Sequence, residues 1–180
     1  MSAAATQSYT FVVFTEDYTG VLQRVVSVYT RRHVNIESLT VSPSSAPEIF
    51  RFTVVATVTE AMMTHLTAQL NKQVDVLRAF AYGPDEVVRQ EVALYKVPAA
   101  AFRHGDTVER LVRRHNARIL SIEPEYVVIE RTGHPHETES LLAELRPLGV
   151  YEFVRSGTIA IVKQMEQLNT YLQALGAAKN

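Results

Sequence analysis

The 180-residue sequence contains no cysteine. Disulfides, thiolate zinc sites and a cysteine nucleophile are all excluded. An excess of charge of one sign is missing too: 18 Lys and Arg stand against 19 Asp and Glu, a formal charge of -1. Such a balance carries no electrostatic footprint for nucleic acid or an anionic membrane surface. No apolar run approaches the ~20 residues a membrane-spanning helix needs. The opening "MSAAATQ" lacks the basic start and apolar centre of a signal peptide, so the cytoplasm is the expected location. The seven glycines are scattered singly, which leaves neither a phosphate-cradling loop nor a dinucleotide fingerprint. What remains is 47% hydrophobic and 21% charged, the composition of a globular protein.

Hydrophobic periodicity divides the chain into two similar halves. "YTFVVFTE" (9–16) reads as a strand, "DYTG" as a turn with capping residues, and "VLQRVVSVYTRR" as a helix with Val21, Leu22, Val25, Val26 and Tyr29 at helical spacing. A strand around Ile36 to Thr40 ends at the turn cluster "SPSSAP". "IFRFTVVATV" (49–58) alternates as a strand. "EAMMTHLTAQLNKQ" (60–73) is an amphipathic helix with Met62, Met63, Leu66 and Leu70 inward, and "VDVLRAFAY" (74–82) is a strand. Gly83-Pro84 marks a linker. The second half repeats the order: strand 87–97, helix 106–115, strands 117–125 and 126–132, helix 137–148, and a last strand over 150–162. The expected fold is α+β, two ferredoxin-like βαββαβ units spanning 8–83 and 86–162. "TRRHVNIESL" and "VRRHNARILS" echo one another at corresponding places. A tail, 163–180, carries Met165, Leu168, Leu172 and Leu175 at helical spacing, with Gly176 at its expected end.

Candidate chemistry is sparse. His134, His136 and Glu137 could chelate a metal, but a polar residue before Pro135 is ordinary helix-start grammar. Arg31, Arg32, Arg113 and Arg114 fall at helix C-termini, where cations suit the helix dipole. Glu123 and Glu125 share a strand face without a partner base or nucleophile. No catalytic constellation assembles and no metal site is assigned. Two short segments suit a small zwitterion. "TEDYTGVL" (15–22) joins strand to helix: the unpaired N–H groups of a helix start attract anions, and Gly20 permits close approach. Its structural alternative is capping by Asp17 or Thr19. Asn35 offers an acceptor and two donors, enough for the ends of an amino acid. Its alternative is a turn asparagine in a left-handed conformation.

"GVLQRVVSVYTRRHVNIESLTVSP" followed by "LNKQVDVLRAFAYG" resembles the regulatory (small) subunit of acetolactate synthase, over roughly residues 8 to 162. The resemblance implies an N-terminal ACT domain, a C-terminal ACT-like ferredoxin domain, and no catalytic activity. It implies a catalytic subunit as partner, which would carry thiamine diphosphate, Mg and FAD, with no cofactor in this chain. It also implies a homodimer through the ACT domain, binding branched-chain amino acids such as valine for feedback inhibition. Mapped residue by residue, the effector site comprises Asp17, Tyr18, Thr19, Gly20, Val21, Leu22, Asn35 and Ile36. The backbone near Gly20, Val21 and Leu22 would take the carboxylate, and Asn35 would reach polar groups from the neighbouring chain. Asp17 departs from the asparagine the family commonly carries there, and Tyr18 is bulkier than usual. A free-standing ACT-type sensor controlling another partner is the alternative function.

Overall fold

The computed structural model describes residues 5–103, 107–164, 170, 171, 173 and 174. It divides into two compact units. One runs to Val88 and resumes at Thr158, and the other is Arg89–Gly157.

The first unit runs β1 (Thr6–Glu16), α1 (Val21–Thr30), β2 (Ser38–Pro43), β3 (Ile49–Thr59), α2 (Glu60–Leu70) and β4 (Val76–Tyr82). Its strands lie in the order β2-β3-β1-β4, all antiparallel. The period-two pattern sends Phe11, Val13, Phe52, Val54 and Ala56 to one face, where Val25, Val28 and Tyr29 of α1 and Leu66 and Leu70 of α2 cover them. Each fully buried leucine contributes about 1.5–3 kcal/mol by leaving water. Phe11 and Tyr29 meet edge to face, centroids 5.6 Å apart. Thr59 caps α2 by accepting from the N–H of Met62, as its hydroxyl suits it to do. The opposite face is also apolar at one end, where Val12, Phe14, Ala46 and Ile49 pack with Leu77, Phe80, Tyr82 and Tyr171.

The second unit runs through β5 (Val87–Pro98), α3 (Ala100–Arg103), α4 (Thr107–Arg114), β6 (Arg118–Ile122), β7 (Tyr126–Gly133), α5 (Pro135–Leu145) and β8 (Glu152–Arg155). The sheet order β6-β7-β5-β8 repeats the permutation of the first sheet. Both are ferredoxin-like, ACT-type units in an α+β chain. Ala93, Tyr95, Val97, Val127 and Ile129 face Val108, Leu111, Val112, Leu141 and Leu145. The Tyr95 hydroxyl donates to the carbonyl of Thr138 at 2.7 Å.

Several sequence expectations are corrected. The strand expected over 117–125 stops at Ile122, and Glu123 and Glu125 lie in the turn before β7, where Glu123 N–H donates to Tyr126 O at 2.8 Å. The helix expected over 137–148 begins at Pro135 and yields to a 3-10 turn at Arg146–Leu148, since Pro147 cannot continue the α-helical ladder. The single strand expected over 150–162 is two. Ser156 and Gly157, the latter at φ 79°, interrupt it, and β9 (Ile159–Val162) follows. Residues 158–162 cluster with the first unit by contact. The cause is polar. Ser38, Thr40 and Arg51 project from the sheet face away from the helices and need partners. Thr158 N–H donates to Ser38 Oγ at 2.7 Å, Arg51 Nη2 donates to Ala160 O at 2.6 Å, and the Thr40 hydroxyl donates to Thr158 O. Met165, Leu168, Leu172, Leu175 and Gly176 of the expected tail helix lie outside the described residues. Among the described residues no helix is long and apolar enough to cross a membrane.

Candidate functional site

The junction of β1 and α1 is shaped by Gly20. It stands at the helix N-cap with φ 90°, a backbone that L side chains adopt at a cost. A Cβ there would meet open space, its nearest neighbour being Arg24 Nη2 at 3.9 Å. The glycine is therefore required by the turn rather than by crowding. Neither Asp17 nor Thr19 caps α1: no side chain accepts from its first N–H groups, and its first turn holds no acidic residue. Val21 N–H bonds Tyr18 O and Arg24 N–H bonds Gly20 O. The rest of the helix start keeps the partial positive charge of unanswered donors. The contrast with α2, capped by Thr59, is direct.

The turn is braced from both sides. Asp17 N–H donates to Glu48 O and Glu16 N–H to Asp75 O. Across it, the Arg24 guanidinium pairs with the Asp75 carboxylate and lies over the Tyr18 ring, 5.6 Å from its centroid. Sequence reasoning missed this pair, since 51 residues separate its members and no local pattern links them. The effector residues named from sequence divide by role. Val21 belongs to the core, and Ile36 is half-buried against it. Asp17 and Thr19 are exposed, and Tyr18 and Leu22 keep 59% and 47% of their surface open, so they supply the accessible apolar surface.

Asn35 is exposed and sits in the connection between α1 and β2. It does not occupy the left-handed position. His33 does, at φ 54°. Val34 N–H reaches back to Tyr29 O at 3.1 Å and His33 N–H to Thr30 O at 3.0 Å, the paired bonds of a Schellman turn. The second unit closes α4 identically, with Asn116 at φ 48° and Ala117 N–H on Val112 O at 2.8 Å. The Arg-Arg-His echo is thus one residue out of structural register: His33 corresponds to Asn116, not to His115. With the turn made by His33, the amide of Asn35 is not needed to shape the backbone, and it makes no side-chain hydrogen bond to the described residues.

The remaining sequence candidates are structural. His134 and His136 stack 5.6 Å apart. Glu137 accepts from His134 N–H at 2.7 Å and from Arg131 at 2.6 Å. These contacts, the backbone bond foremost, hold its carboxyl below the usual range. The set is a helix start. Among the described residues no group of three or more His, Asp or Glu is placed to hold a metal ion. Arg113 pairs with Glu109 and Arg114 with Glu144.

Comparison with known proteins agrees with this fold. Residues 11–78 match the family described as the AHAS small subunit-like ACT domain, and 90–164 match the small subunit of acetolactate synthase. The acetolactate synthase small subunit of Mycolicibacterium smegmatis is 36% identical over 156 residues, covering 87% of this chain and 91% of that one. That of Bacillus subtilis is 34% identical, covering 82% and 86%. The crystal structure of the acetolactate synthase small subunit from Thermotoga maritima superposes with a TM-score of 0.80 at 24% identity, covering 89% of this chain and 99% of that one. That likeness fixes the fold, and the sequence matches go further: this chain belongs to the acetolactate synthase small-subunit family.

Proposed function

We propose that this chain is a non-catalytic regulatory subunit. It docks on the acetolactate synthase catalytic subunit, raises its rate, and confers feedback inhibition by branched-chain amino acids, valine foremost. Thiamine diphosphate, Mg and FAD belong to that partner, and the complex works in the cytoplasm. One observation carries the effector site: α1 begins at Gly20, φ 90°, with no capping side chain and no acidic residue in its first turn. A carboxylate there answers the free N–H groups and the helix dipole together. Tyr18 and Leu22 offer apolar surface to an aliphatic side chain.

Assembly supports the same reading. Among the described residues, strand β2 is the edge of its sheet and pairs with β3 alone. Two copies joined along β2 would form one continuous sheet and bring Asn35 of each to the first turn of the other. An effector held between copies stabilises the dimer, so binding and assembly are linked.

The test is reconstitution. Adding the pure chain to its catalytic subunit should raise acetolactate formation, and valine should then reduce it. An unchanged rate at saturation rejects the subunit reading. Gly20→Asp should keep activation and lose inhibition, because it strains the turn and sets a carboxylate where the ligand's belongs. Asp17→Asn should tighten valine binding by about 1 kcal/mol, the scale of a solvent-screened charge contact. Weaker binding by that variant would instead place Asp17 on the ligand's ammonium.

A further inference from the structure

We propose that Arg24 receives the effector's carboxylate, and that its ion pair with Asp75 sets how strongly it does so. The proposal rests on the effector-site reading above and names the group that selects a free carboxylate. Arg24 lies one helical turn beyond Gly20. Its Nη1 is committed to Asp75. Its Nη2 has no partner among the described residues and stands 3.9 Å from where a Cβ on Gly20 would be, over the approach that the glycine leaves open. The Tyr18 ring backs the guanidinium plane at 5.6 Å. An arginine set over an aromatic ring with one arm of its fork unused is suited to a planar anion.

Asp75 is the more buried member of the pair. Its side chain is 15% exposed against 43% for Arg24, and its carbonyl accepts from Glu16 N–H at the end of β1. Arg24 therefore answers to two carboxylates, one fixed in β4's approach and one brought by the ligand. Asp75 orients the fork but also draws off part of its charge. Ligand binding shifts Arg24 away from Asp75 and loosens the tie between α1 and the start of β4, giving the first turn a means of reporting occupancy to the sheet.

Calorimetric titration of L-valine into the full chain tests this. Arg24→Gln should weaken binding about ten-fold or more, the loss of a charge-assisted bond. Asp75→Asn should bind at least as tightly as wild type, because it releases the fork. Arg24→Lys, a second variant that retains charge and packing, should fall between Arg24→Gln and wild type. L-valinamide, which lacks the carboxylate, should bind weakly to wild type and no more weakly to Arg24→Gln. Wild-type affinity in both Arg24 variants overturns the proposal. So does an equal loss in Arg24→Gln and Asp75→Asn, which marks the pair as a brace alone. If wild type binds none of L-valine, L-leucine and L-isoleucine, or if Gly20→Asp binds normally, the effector-site reading has failed and the proposal falls with it. Loss in Gly20→Asp with no loss in either Arg24 variant sinks the proposal and leaves that reading standing.

Discussion

The two units share a strand order and differ in what holds them. The first is buried on both faces of its sheet, by helices on one side and by aromatic side chains and β9 on the other. The second has a single apolar core and a lattice of charge: Arg118–Glu130, Arg131–Glu137, Arg155–Glu91, Arg155–Glu139 and Arg114–Glu144. Among the ion pairs named here, Arg24–Asp75 belongs to the first unit and the others to the second. A fold can thus be kept while the forces that hold it change. The charge pair in the apolar unit stands out because it lies at the first turn, where it ties α1 to the start of β4.

The comparison can be broken at its strongest point. Phe11→Ala removes a fully buried ring packed on Tyr29 and should cost about 3–5 kcal/mol, read as a drop in the urea midpoint. A loss under about 1 kcal/mol would show that the first unit is not held by that core. Arg155→Leu tests the second unit. It strips the cation from Glu91, whose side chain is 5% exposed, and leaves that carboxylate to the Thr138 hydroxyl. The expected cost is about 2 kcal/mol, below that of a fully buried pair because Arg155 itself is partly solvated.

Two buried tyrosines sharpen the contrast with opposite signs. Among the described residues the buried Tyr29 hydroxyl has no hydrogen-bond partner, and burial raises its pKa far above the usual value. Tyr29→Phe should stabilise by about 1 kcal/mol, the desolvation penalty relieved. Tyr95→Phe loses the bond to Thr138 O and should destabilise by about the same amount. Matching signs in thermal unfolding would contradict the assignment of partners.

The smallest effect is a pH dependence in the second unit. Burial, then the guanidiniums of Arg114 and Arg131, hold His115 below its ordinary value, despite Glu144 at 2.9 Å. The unfolded chain takes up that proton first as pH falls. The contribution is therefore full above the ordinary histidine value of ~6.5 and is lost as pH drops through the depressed folded value. His115→Gln should flatten the decline in stability between pH 7.5 and pH 5.5. An unchanged slope would assign the decline to other groups.

Much of the fold was legible because alternation and helical spacing are local. The βαββαβ order of each half follows from runs such as 49–58 and 60–73. The errors came where a distant partner decides. Residues 150–162 look like one strand because "VYEFVRSGTIAIV" is uniformly β-prone, and the break at Gly157 matters only because Ser38, Thr40 and Arg51 await β9. The shape of the β1–α1 turn was legible through Gly20, whose role is local. Arg24 was not, because its meaning depends on Asp75. Asn35 was read as a possible turn residue, yet the residue shaping that turn is His33, which sequence alone gave no reason to place at positive φ.

The return of residues 158–162 to the first unit makes the second unit an insertion within it. On the ribosome, Arg89–Gly157 is a contiguous stretch and can finish folding once it has emerged. The first unit begins earlier yet must wait for residues 158–160 before the hydroxyls of Ser38 and Thr40 and the guanidinium of Arg51 are answered. Synthesis order and completion order are therefore reversed, against the usual N-terminal-first course. The unit that carries the β1–α1 turn is the last to have all of its residues.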